Sequence, residues 1–100
     1  MKKEFNMDRI IYKITPDGDP IAFLLDIPCY GATIMSYMHV GQHGEASYEY
    51  YWECRNATPE EYKELDEEMR SIGYEPLILK RLPKDYIHES LNIDKYIKQW

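Results

Sequence analysis

Apolar positions along this chain follow two periods, and the change from one to the other marks out its elements. Residues 9–14 and 21–27 are short β-branched runs, carrying Ile10, Ile11, Tyr12 and Ile14 in the first and Ile21, Phe23, Leu24, Leu25 and Ile27 in the second. Between them Pro16 presets a turn φ and Gly18 permits a positive one, so 15–20 predicts the turn of a β-hairpin. Residues 28–31 break the second strand. Residues 33–40 predict a third strand, followed by a loop over 41–44. Residues 46–54 predict a fourth, because alternation sets Tyr48, Tyr50, Trp52 and Cys54 on one face and Ser47, Glu49, Tyr51 and Glu53 on the other. A helix is the alternative over the same residues.

The period then lengthens. Thr58 is placed as an N-cap, Pro59 as the first helical residue, and Glu61 completes a capping box with Thr58. Tyr62, Leu65, Met69 and Ile72 form one apolar stripe at helical spacing, and Gly73 is placed to end a helix over 58–72. Residues 74–82 read as a strand, with Pro76 favouring an edge position. The run from 46 to 82 is compatible with a right-handed parallel crossover. Residues 85–99 read as a terminal helix. The expected fold is α+β: a lead-in over 1–8, then one domain over 9–100, a mainly antiparallel sheet of four or five strands packed with helix 58–72 and the C-terminal helix.

Charge changes the picture in one place. The net charge is −6, and residues 45–72 hold all of it: nine acids (Glu45, Glu49, Glu53, Glu60, Glu61, Glu64, Asp66, Glu67, Glu68) against Arg55, Lys63 and Arg70. Tyrosine is the compositional outlier, 10 residues against 2 phenylalanines. Such a chain builds much of its core from rings that keep a hydroxyl bonded or wet. The acidic balance argues against nucleic-acid binding through phosphates. The start of the chain shows no signal-peptide pattern and the longest apolar run is far short of a membrane span, which makes a cytoplasmic location the expectation, with Cys29 and Cys54 as free thiols.

Candidate chemistry is sparse. His39 and His43 stand four apart, and Cys54 lies across the expected hairpin from His39. A metal- or small-ligand-binding protein centred on His39, His43 and Cys54 is the alternative reading, with Cys29 as a fourth metal donor, although no paired Cys-x-x-Cys supports it. Gly41 and Gly44 give a GxxG loop, but its middle residues are not basic and it sits between strands. Cys54, His39 and Glu53 supply the residue types of a nucleophilic site without any catalytic motif. No cofactor is called for.

The acidic helix is the remaining candidate. Glu60, Glu64 and Glu68 lie four apart on one ridge, flanked by Glu61 and Glu67. Glu60 and Glu61 have a local reason at the positive end of the helix dipole. Lys63 with Glu67 and Asp66 with Arg70 are spaced for i,i+4 pairs. The runs 41–43, 57–62 and 72–74 resemble segments of short phage and mobile-element proteins, a likeness that brings no activity with it. The expectation is a non-catalytic interaction or regulatory protein that binds a basic partner through Glu60, Glu64, Glu67 and Glu68, with Tyr51 as aromatic neighbour. An inhibitor that mimics nucleic-acid charge is one member of that class. Self-association through an edge strand at 46–54 or 74–82 is a further expectation.

Overall fold

The computed structural model describes residues 7–27, 29, 33–38 and 43–83. The expected terminal helix 85–99, His39, residues 41 and 42 of the expected loop 41–44 and most of the lead-in lie outside them; His43 and Gly44 begin a strand instead.

The hairpin forms where the pattern places it, as β1 (Asp8–Ile14) and β2 (Pro20–Leu24), antiparallel with Tyr12 opposite Ala22. Its turn is closed by Thr15, whose carbonyl accepts from Gly18 N–H at 2.8 Å and whose hydroxyl accepts from Asp19 N–H at 3.1 Å. Gly18 sits at φ 95°, which a side chain would strain. Strand β3 (Thr33–Tyr37) pairs with β2, and β4 (His43–Ser47) pairs with β3, both antiparallel. Strand β1 is internal, one in from the edge. Its far side is shared by two short strands, β5 (Arg55–Asn56), antiparallel to it, and β6 (Pro76–Leu79), parallel to it.

The expected strand over 46–54 ends early. Ser47 closes β4 and caps a helix, α1 (Tyr48–Glu53), its side chain accepting from Tyr50 N–H at 3.0 Å. At fewer than two turns this helix cannot rest on propensity. What holds it is the inward spacing of Tyr51 and Cys54, both buried, three apart. The period-two reading inverted the side chains: Tyr51 is 1% exposed and Trp52 is 63% exposed. The crossover is also not of the parallel kind, because the strand entering it, β5, runs against β6 along the same edge of β1.

Helix α2 (Pro59–Ser71) follows the sequence closely, with both hydrogen bonds of the Thr58–Glu61 capping box present. Gly73, at φ 112°, ends it, and Tyr74 N–H closes back on Met69 O at 3.0 Å. Ile72, expected to finish the apolar stripe, is instead the C-cap and stands 48% exposed.

Both faces of the sheet are covered, which explains why β1 and β2 read as continuous apolar runs rather than clean alternation. On the first face Ile11, Ile21, Phe23, Leu25 and Ile34 pack with Tyr51, Cys54 and Leu82. On the second, Ile10, Tyr12, Ala22, Leu24 and Tyr37 pack with Leu65 and Met69 of α2. Each fully buried Ile, Leu or Phe contributes roughly 1.5–3 kcal/mol. The result is a small α+β domain with one helix on each face of a mainly antiparallel sheet.

Candidate functional site

Helix α2 has two acidic sides that behave differently. The acids bordering its apolar stripe are taken up by the sheet. Tyr12 on β1 donates its hydroxyl to Asp66 Oδ1 at 2.8 Å, and Arg70 Nε meets Asp66 Oδ2 at 2.8 Å. Tyr37 on β3 donates its hydroxyl to Glu68. Arg55 on β5 grips Glu61 with two bonds, at 2.9 and 2.7 Å. The Tyr12 and Tyr62 rings stack at 4.5 Å between the sheet and the helix. Burial, together with the Asp66 carboxylate, drives the Tyr12 hydroxyl far above its ordinary range, so it remains a donor.

The other side of α2 is a ridge of Glu60, Glu64 and Glu67, all exposed. These three fall within about 60° of one another at 100° per residue, opposite Leu65 and Met69. Lys63 is exposed beside them. On α2, Glu61 pairs with Arg55 and Asp66 with Arg70; among the described residues, the Lys63–Glu67 pair allowed by spacing does not form.

Among the other residues singled out from sequence, the expected binding set is thus divided. Glu60, Glu64 and Glu67 share a surface. Glu68 is half-buried and bonded to Tyr37. Tyr51 is in the core of the opposite face, its hydroxyl pushed up to about 12 by burial. The exposed aromatic of α1 is Trp52, which the sheet separates from the α2 ridge.

The proposed metal donors are likewise separated. His43 lies on the second face, its ring 4.7 Å from that of Tyr37 and its Nε2 3.0 Å from the Tyr74 hydroxyl. Cys54 is buried on the first face, its thiol donating to Tyr50 O at 3.3 Å. His39 is outside the described residues, and Cys29 is half-buried, burial pushing its thiol up. Among the described residues no three His, Cys, Asp or Glu side chains come close enough to hold a metal ion. Also among them, no helix is long and apolar enough to cross a membrane.

One buried cation escaped the sequence reading. Lys13, 6% exposed, donates to Cys54 O at 3.2 Å, with its Nζ 4.4 Å from the Tyr51 ring centroid and 5.9 Å from that of Trp52. It supplies positive charge at the C-terminal end of α1, whose own last turn has no basic residue. Burial lowers its pKa, opposed by the Cys54 thiol. Its place in β1, two residues after Ile11 on the same face, was the signal available.

Comparison with protein-family models, with curated proteins and with solved structures gives no match. The functional reading therefore rests on this geometry.

Proposed function

We propose that this is a non-catalytic interaction domain that docks a basic protein surface on the outer side of α2, through Glu60, Glu64 and Glu67. The carrying observation is the division of the helix's acids. Asp66, Glu68 and Glu61 are bonded inward or along the edge, and the outward three present like charges at i,i+3 and i,i+4 spacing. Within the helix such pairs are unfavourable by roughly 0.2–0.5 kcal/mol each, and of the three only Glu60, at the positive end of the helix dipole, has a local reason to be acidic. The ridge is also presented rigidly, because tyrosines from two strands and an arginine from a third fix the helix beneath it.

A docking surface of this kind steers a basic partner and sets specificity more than raw affinity, and its strength falls with salt. The test is the double variant Glu64→Lys, Glu67→Lys, used beside the unaltered chain to capture partners from cell lysate at physiological and raised salt. Loss of the captured proteins, with circular dichroism and melting intact, is the expected result. The same proteins retained by a folded variant would sink the proposal.

A further inference from the structure

The edge of β1 opposite β2 is occupied by two strands that meet head-on. Asn56 of β5 pairs with Lys13, and Leu79 of β6 pairs with Ile11, which leaves Tyr12 between their ends. From that point the chain departs in two directions. Beyond β5 it passes through Ala57 and Thr58 into α2 on the second face, whereas beyond β6 it runs through Lys80 to Leu82, buried on the first. Strand ends whose continuations part to opposite faces open a crevice, the same reason that ligands collect at switch points of α/β sheets.

Here the crevice has a volume of about 300 Å³, the lower end of the range for small-molecule sites. The stacked Tyr12 and Tyr62 rings form one wall, with Pro59 and Ile78 also lining it. Two hydrogen bonds tie its sides together: Ala57 N–H to Tyr12 O at 3.1 Å, and Asn56 Nδ2 to Lys80 O at 3.0 Å. The walls are therefore set before anything binds. The charge is the unexpected part. In a chain with 18 acids and 12 bases, the lining includes the cation Lys80 and no carboxylate.

We propose that this crevice binds a small planar aromatic carboxylate, its ring against the tyrosine wall and its carboxylate toward Lys80. The site does not depend on the α2 ridge, since Glu60, Glu64 and Glu67 do not line it. The test is a titration of the ¹⁵N-labelled full chain with indole-3-acetate, followed by amide chemical shifts, beside its uncharged counterpart indole-3-ethanol. Saturable shifts centred on Ala57, Thr58, Tyr62 and Ile78 are expected. Lys80→Gln, an exposed change that leaves the fold in place, should weaken indole-3-acetate by about fivefold and leave indole-3-ethanol unchanged. The Glu64→Lys, Glu67→Lys variant should retain this binding, which separates the two sites. Absence of shifts at millimolar ligand, shifts centred elsewhere, or equal binding of acid and alcohol to both chains would each overturn the proposal.

Discussion

Lys13 offers a test in which stem and charge can be separated. Its side chain fills space on the first face between Ile11, Tyr51 and Cys54. Lys13→Ala removes about three buried methylenes, worth roughly 2–2.5 kcal/mol at 0.8 each before any cavity term. Lys13→Met keeps most of that volume and deletes the charge. Two effects then oppose each other. The ammonium loses a charged hydrogen bond to Cys54 O and its place over two rings, contributions of roughly 1.5–3 and 0.5–2 kcal/mol. Against this stands the cost of keeping an ion out of water, several kcal/mol. The lowered pKa of Lys13 reports that burial outweighs what the charge gains electrostatically. Lys13→Met should therefore lie within about 1 kcal/mol of the original chain at neutral pH, while Lys13→Ala falls well below both.

The pH dependence gives a second readout, and its sign is fixed. A lysine whose folded pKa is depressed holds its proton more tightly in the unfolded chain. Between the folded value and the unfolded value of about 10.4, raising the pH therefore favours the folded state. Urea unfolding from pH 7 to 10.5 should show the original chain gaining on Lys13→Met as the pH rises. Tyr12 and Tyr51 also titrate differently in the two states, but both remain in the variant, so their contribution largely cancels in the difference. A Lys13→Met loss as large as that of Lys13→Ala, or a gap that moves the other way with pH, would refute the reasoning.

Three further outcomes follow from named contacts. Glu64→Lys should raise stability by about 0.5–1 kcal/mol, since it turns the Glu60–Glu64 repulsion into a well-oriented i,i+4 attraction and relieves Glu67; a lower melting midpoint would contradict this. Tyr12→Phe removes the donor to Asp66 and should lose about 1–2 kcal/mol in urea unfolding, with the far-ultraviolet spectrum unchanged; no loss would mean that water replaces the hydroxyl freely. Glu61 is held at about 2, first by the Arg55 guanidinium and then by Thr58 N–H. A depressed carboxyl stabilises the fold above the ordinary carboxylate range, and that contribution fades as pH falls through about 2, so Glu61→Gln should flatten the acid limb of an unfolding titration.

The elements that were legible in the sequence are those specified by neighbours in the chain. Pro16 and Gly18 define the hairpin turn, and Thr58, Pro59, Glu61 and Gly73 define both ends of α2, each through a contact within a few residues. Residues 48–53 were not legible, because Tyr, Glu, Tyr, Tyr, Trp and Glu satisfy a two-residue period and a three-residue one about equally. The tie is broken by packing of Tyr51 on Phe23, a ring contact at 4.9 Å with a residue 28 positions earlier in the chain. The same limit applies to the site. Spacing grouped Glu68 with Glu60 and Glu64, whereas its role is set by Tyr37, 31 residues away, just as that of Asp66 is set by Tyr12, 54 away. Acids that border an apolar stripe turn inward or outward according to whether the facing sheet offers a donor.

What remains on the outside of α2 admits a bland explanation: net charge of either sign keeps a small domain dispersed, wherever it is placed. That explanation depends on how many charges there are, while docking depends on where they stand. Combining Glu64→Lys with Arg81→Glu, an exposed position outside α2, keeps the net charge at −6 and separates the two. On α2 the change turns the Glu60–Glu64 repulsion into an i,i+4 attraction, so stability should not fall. Solubility should not change either. The ridge, however, is broken, with a cation set between Glu60 and Glu67. If the acids serve dispersal alone, the double variant captures the same partners at the same salt as the original. If the ridge is a docking surface, capture is lost although charge, solubility and melting are all preserved.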